Sequence, residues 1–178
     1  MKIVSPDITH KSDIGGVELN VDPRDIRDAH ERIVTNAQNY RSDAAILGVY
    51  VQEMVDLGNA TETIVGATRD PQFGPMLLFG LGGIFVETLE DTTIRIAPIS
   101  EREAREMIDG IAAAPLLRGA RGRPAADLDA IVETLERLSQ LMIDHPRILE
   151  LDVNPLVAGP DDALAIDFRA TIDTEDHD

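Results

Sequence analysis

The sequence predicts an α+β fold, and three observations carry that prediction. Three segments place apolar residues at helical spacing, each behind a capping residue. Several short apolar or alternating runs read as strands. These strands and helices do not alternate in a strict β-α-β order, which argues against a doubly wound parallel sheet.

In chain order, 2–5 reads as a short strand that Pro6 ends. Residues 6–16 form a loop with Pro6, Asp7, His10, Gly15 and Gly16. Val17 to Val21 alternates apolar and polar, a strand pattern. Asp22-Pro23 then opens a helix, with Asp22 as N-cap and Pro23 at the first helical position. Ile26, Ala29, Ile33 and Ala37 line its apolar stripe. Strands are expected at 46–55, 63–68, 76–79 and 94–97, with a turn at Gly58-Asn59 and loops around Pro71 and Pro75. Ser100 and Glu103 make a capping box for a helix that turns Ala104, Met107, Ile108 and Ile111 inward. Residues 115–124 are a loop with three arginines. Asp127 caps a helix carrying Leu128, Ile131, Leu135, Leu138 and Met142, and Pro146 stops it. Strands at 148–153 and 163–168 close the chain around a Gly159-Pro160 turn, and 174–178 is a polar tail.

At 178 residues and 43% apolar composition, the chain is long enough to bury a core and too apolar for wholesale disorder. It has no cysteine, which excludes disulfides, thiolate catalysis and cysteine-ligated metal. A net charge of −17 makes nucleic acid and anionic membranes poor partners. No apolar run is long enough to span a bilayer, and the first residues lack a secretory layout. A cytoplasmic location is the expectation. Fourteen arginines stand beside only two lysines, and 20 aspartates beside 13 glutamates. Such an acidic, lysine-poor surface is expected of a halophilic protein, because salt screens the self-repulsion.

Three features carry candidate chemistry. Gly80, Gly82 and Gly83 follow a strand, where backbone amides can cradle phosphate. The spacing fits neither a dinucleotide fingerprint nor a Walker loop, so a tight turn explains it equally well. Asp152 and Asn154 lie two apart on a strand and share a face, and Asp167 lies near the end of the next strand. If the two strands pair, Asn154 and Asp167 converge on one hard cation such as Mg²⁺. The alternative is an ordinary Asn-Pro turn and a solvated aspartate. His10 sits in a glycine-containing loop, as a phosphoryl acceptor, a general base or a plain surface residue.

Four segments, in this order, resemble the ATP-grasp domain of ADP-forming acyl-CoA synthetases, of the acetate–CoA ligase β-subunit type. They are KIVSPDITHKSDIGGV (2–17), VGATRDPQFGP (65–75), FGLGGIFVE (79–87) and ELDVNPL (150–156) with Asp167-Phe-Arg169. The resemblance implies an ATP-grasp fold over 1–173 whose two lobes clasp Mg·ATP. Residues 1–54 would be the remainder of an N-terminally truncated smaller lobe, and 55–173 a complete larger lobe with the Mg-nucleotide site. It implies the reaction acyl-CoA + ADP + phosphate ⇌ carboxylate + CoA + ATP, with phosphate relayed through a loop histidine to ADP.

Carried over by motif, His10 is the phosphorylated histidine, and Asp152 and Glu87 sit near a phosphohistidine. Lys2 contacts nucleotide phosphates. Gln52, Glu53, Met54 and Val55 form the adenine hinge, and Glu62 is a candidate ribose contact. Arg69, Gly80, Gly82 and Gly83 handle phosphate. Asn154 and Asp167 are the Mg²⁺ ligands. The implied cofactors are ATP/ADP and Mg²⁺. The implied partner is an α-type CoA-binding/ligase subunit or domain, making a hetero-oligomer. The alternatives are a non-catalytic remnant, a regulatory or interaction subunit, or a nucleotide-sensing module of an acyltransferase.

Overall fold

The structure is a computed structural model and describes residues 1–55, 58, 60–82, 91–120 and 124–174. The chain divides into two compact units, Met1–Asp56 and Leu57–Asp178.

In unit 1, β1 (Lys2–Val4) pairs antiparallel with β2 (Gly48–Tyr50), and α1 (Ile26–Tyr40) supplies Ile33 and Ala37 to a small core with Ile3 and Ile8. The helix starts one turn later than the Asp22-Pro23 signal suggests. Asp22 instead holds a turn, accepting the Arg24 amide at 2.9 Å, and Asp25 is the N-cap position. The expected strand at 17–21 shrinks to a single bridge from Val17 to Lys2. Glu18 is tied to α1 by a two-pronged Arg32 guanidinium at 2.9 and 2.7 Å. That hydrogen bonding holds the Glu18 carboxyl below its usual range.

In unit 2, β3 (Thr61–Asp70), β4 (Gly74–Leu81), β5 (Thr92–Ile96), β6 (Ile148–Ala158) and β7 (Ala163–Ala165) form an antiparallel sheet in the order β5-β4-β3-β6-β7. β8 (Phe168–Ile172) also pairs with β6. The helices α2 (Glu101–Gly110), α3 (Ala114–Leu117) and α4 (Leu128–Asp144) belong to the same unit. Val65, Ala67, Leu77, Phe79, Leu151 and Val153 share one core with Met107, Ile108, Ile131, Leu135 and Met142 of α2 and α4. Strand period then fixes the rest: the alternate residues on β3, β4, β5 and β6 face the other way. That opposite face carries no helix among the described residues of unit 2, and it leaves Ile94 and Ile96 about half exposed.

The caps read from the sequence are present. Ser100 Oγ accepts the Glu103 amide while Glu103 accepts the Ser100 amide at 2.8 Å, and Asp127 accepts the Ala130 amide at 3.0 Å. The single closing strand expected at 163–168 is two strands, β7 and β8, interrupted at Ile166-Asp167.

Candidate functional site

The helix-free face of unit 2 is ordered in rows by strand register. One row runs Ile96–Met76–Thr68–Glu150–Thr171. The next runs Ile94–Leu78–Gly66–Asp152–Arg169. Between them and the β6–β8 junction lies a groove of about 380 Å³. Asn154 and Asp167 follow as the next residues on β6 and before β8 that continue the polar side of the face. The Asn154 amide donates to the Asp167 carbonyl at 3.2 Å, which makes the two residues cross-strand neighbours. Asp167 Oδ1 also accepts the Phe168 amide at 3.0 Å.

The hairpin pairing anticipated from the sequence therefore brings Asn154 and Asp167 together. Their donors are one carboxamide oxygen and one carboxylate, a hard-oxygen set. No group of three His, Cys, Asp or Glu side chains that could hold a metal occurs among the described residues. A pair of this kind suits Mg²⁺, which takes one or two protein oxygens and completes its shell from water and phosphate.

Asp152 lies one row further into the groove. Burial is the main cause that raises its carboxyl above the usual range, and the negative charges of Glu150 and Asp167 add to it. Arg169 opposes them.

Other predicted residues sit differently. Arg69 points to the helix side of the sheet. Its guanidinium donates to the Met142 carbonyl at 2.5 Å and the Ile148 carbonyl at 3.3 Å, and so serves the last turn of α4 and the start of β6. The expectation of a phosphate-handling arginine thus meets a residue occupied by backbone carbonyls. Gly80 lies inside β4, paired with Ile64 and Thr92, and the Gly82 amide donates to the Glu62 carbonyl at 2.8 Å. A Cβ on Gly80 would stand 2.9 Å from the Asp91 carbonyl oxygen, and one on Gly82 would stand 3.1 Å from Glu62 backbone. Close strand packing therefore accounts for both glycines, and the Gly82 amide is already used. Gly83 and Glu87 lie outside the described residues.

In unit 1, Lys2 is half-buried on β1 with Nζ 6.0 Å from the centre of the Tyr50 ring, a cation–π distance. Gln52, Glu53 and Met54 are exposed, and Val55 is half-buried, in irregular backbone. His10 is exposed, between the buried Ile8 and a tight turn in which Gly16 donates to the Lys11 carbonyl at 2.8 Å. Asp7 accepts the Ala45 amide at 2.7 Å and Asn36 donates to the Gly15 carbonyl at 3.0 Å. Gly15 has φ +66°, and a Cβ on Gly16 would stand 2.8 Å from the Lys11 oxygen. Backbone shape and close packing require these glycines.

An ATP-grasp domain model matches residues 1–172. The chain belongs to the ATP-grasp domain family. This ATP-grasp chain is 49% identical over 175 residues to the acetate–CoA ligase [ADP-forming] I of Archaeoglobus fulgidus, covering 98% of the chain and 25% of that enzyme. It is 48% identical over 170 residues to the acetate–CoA ligase [ADP-forming] I subunit beta of Pyrococcus furiosus, covering 95% of the chain and 72% of that subunit. Among solved structures it is similar to a dinucleotide forming acetyl-coenzyme A synthetase 1 of Ca. Korarchaeum cryptofilum, with TM-score 0.84 and 39% identity. The match covers 97% of the ATP-grasp chain and 75% of that one. The latter was solved with coenzyme A and Mg-AMPPCP, its phosphohistidine segment pointing towards the nucleotide binding site. The ATP-grasp chain thus spans a quarter of the Archaeoglobus enzyme and about three quarters of the Pyrococcus subunit.

Two residues of the groove, Gly66 and Arg169, lie in the segments that carry the resemblance but have no role assigned from the sequence. Strand period places Arg169 on the same face as Asp167, but its opposition to Asp152 and Gly66 depends on the β3–β6–β8 register, which one strand cannot reveal.

Proposed function

We propose that this chain is the nucleotide-binding part of an ADP-forming acyl-CoA ligase. It would catalyse acyl-CoA + ADP + phosphate ⇌ carboxylate + CoA + ATP together with an α-type partner that carries the CoA chemistry. The observation that supports the reading is the cross-strand pairing of Asn154 with Asp167, next to the groove that Asp152 and Arg169 line. The names of the relatives agree with it.

In this reading Asn154 and Asp167 hold Mg²⁺, which supplies charge neutralisation on the phosphates. The resemblance assigns Lys2 to nucleotide phosphate and residues 52–55 to adenine; it assigns Glu62 to ribose. His10 Nε2 or Nδ1 accepts the phosphoryl group from the partner's phosphohistidine: one P–N bond breaks and another forms. An oxygen of the ADP β-phosphate then attacks the phosphorus, the His10 P–N bond breaks, and ATP leaves. Phosphoryl transfer depends mainly on positioning and neutralisation, so lysine, a divalent ion and a loop histidine suffice as protein parts.

The test is thermal unfolding in molar KCl with and without Mg·AMPPCP, beside Asn154→Ala. Ligand at about 100 times its Kd stabilises by roughly 2.7 kcal/mol, a rise of roughly 5–10 °C at this size. The rise should vanish in Asn154→Ala. A folded wild-type chain that shows no rise refutes nucleotide binding by this chain.

A further inference from the structure

His10 is exposed, yet the loop that carries it is tied on both sides by side chains of unit 1. Before His10, the half-buried Asp7 accepts the Ala45 amide on Oδ2 at 2.7 Å, a partner 38 positions away. Asp7 Oδ1 lies 3.8 Å from Arg41 Nη1, which also donates to the Asp7 carbonyl at 3.4 Å. Arg41 is itself steered by Asp43, to which its Nε donates at 3.2 Å. The Asp7 amide donates to Ser5 Oγ at 3.2 Å.

After His10, Asn36 of α1 donates to the Gly15 carbonyl at 3.0 Å. It stands so close that a Cβ on Gly15 would lie 2.7 Å from its Nδ2. The base of the loop is closed separately, by the Ile3 amide on the Gly16 carbonyl at 2.8 Å. Ile8, at 2% exposure, fixes where the chain passes, but apolar burial is non-directional. Hydrogen bonds are directional. The Asp7 and Asn36 bonds therefore set the direction in which the exposed Thr9 and His10 are held out.

We propose that Asp7 and Asn36 are positioning residues that aim the His10 imidazole for phosphoryl transfer. This deepens the proposed function and rests on its histidine relay. Transfer to a bound acceptor depends on alignment, and about 1 Å of misplacement can cost about a hundredfold in rate. A small phosphoryl donor free in solution approaches from any side and needs no such aim.

The full chain is first phosphorylated with phosphoramidate. An imidazole nitrogen attacks phosphorus, the P–N bond of the donor breaks, and ammonia leaves with the proton. The donor is removed and Mg·ADP is added. An ADP β-phosphate oxygen attacks, the His10 P–N bond breaks, and ATP forms. His10→Ala supplies the blank for the other histidines. In Asp7→Ala and Asn36→Ala the first step should stay within about twofold of wild type, while the maximal rate of the second falls at least about tenfold. The half-saturating Mg·ADP concentration should not move, which a misfolded chain would not match. Asp7→Asn keeps an oxygen for the Ala45 amide and should recover most of the second step. A rise in half-saturating Mg·ADP, or equal losses in both steps, would mean that the ties only hold unit 1 together. An undiminished second step would mean that no aim is needed. Each of these results overturns the positioning role. A phosphorylated wild-type chain that makes no ATP overturns the histidine relay itself, and the positioning role with it.

Discussion

Replacing Arg69 with alanine separates a structural arginine from a phosphate-binding one. In the folded chain its guanidinium donates to the Met142 carbonyl at 2.5 Å, near the end of α4, and to the Ile148 carbonyl at 3.3 Å, at the first residue of β6. A hydrogen bond from a charged donor contributes about 1.5–3 kcal/mol, and a cation at a helix C-terminus adds about 0.3–1 kcal/mol. The longer contact counts little beside the shorter one, and water can reach the half-buried site. Arg69→Ala should therefore cost about 2–3 kcal/mol. The assay is urea unfolding followed by far-UV circular dichroism, with the slope required to stay constant so that the shift in midpoint reports stability. With a slope of about 2 kcal/mol/M, the midpoint should fall by about 1–1.5 M. Under folded conditions Mg·AMPPCP should bind the variant as it binds the wild type. A midpoint shift below about 0.25 M combined with a large loss of nucleotide affinity would refute the assignment and restore Arg69 to the phosphates.

Two further outcomes follow from the same sheet. Asp152 has its pKa raised by burial and by its acidic neighbours, so the folded chain binds this proton more readily than the unfolded chain. The penalty is absent below the unfolded pKa of about 3.9 and grows as pH rises through the folded value. Asp152→Asn should accordingly raise the unfolding temperature at pH 7 and lose that advantage near pH 3.5; an advantage independent of pH contradicts the burial argument. Gly80→Ala drives a Cβ to 2.9 Å from the Asp91 oxygen and should destabilise by about 1–3 kcal/mol, read as a lower urea midpoint, whereas an unchanged midpoint would mean the β4–β5 edge yields freely.

Legibility differed by the range of the interaction that fixes each feature. Local signals were reliable: the Ser100–Glu103 box and the Asp127 cap act within four residues, and both hydrogen bonds form. Of the apolar stripe Ile26, Ala29, Ile33 and Ala37, the last three are buried as their spacing requires, while Ile26 in the first turn is exposed. The start of α1 was misplaced because Asp22-Pro23 opens a turn just as well as a helix. Residues 17–21 alternate, yet they pair only at Val17, since a strand needs a neighbour and α1 begins shortly after. The Asn154–Asp167 pairing was legible because a tight turn and two strand patterns lie between 148 and 168. The roles of Arg69, Gly80 and Gly82 were not, because Arg69 answers to carbonyls more than seventy positions away, and the glycines answer to the neighbouring strand. Glycines kept for packing look like any others until a Cβ is placed on each: at Gly80 and Gly82 it meets neighbouring backbone, whereas at Gly66 it makes only ordinary contacts.

The pinning of the His10 loop limits how far that imidazole can travel. Ile8 is sealed in its core at 2% exposure, and the turn beginning at Lys11 is locked by the Gly16 amide. Two residues of fully extended chain from the Ile8 Cα span about 7 Å, which bounds the excursion of the His10 Cα while Ile8 stays put. A longer stroke requires withdrawing Ile8, and exposing an isoleucine side chain costs about 1.5–3 kcal/mol. The loop is thus a short crane arm on a fixed post. Any group exchanging phosphate with His10 must arrive within that radius extended by the length of the imidazole side chain, or arrive with enough binding energy to lift the post.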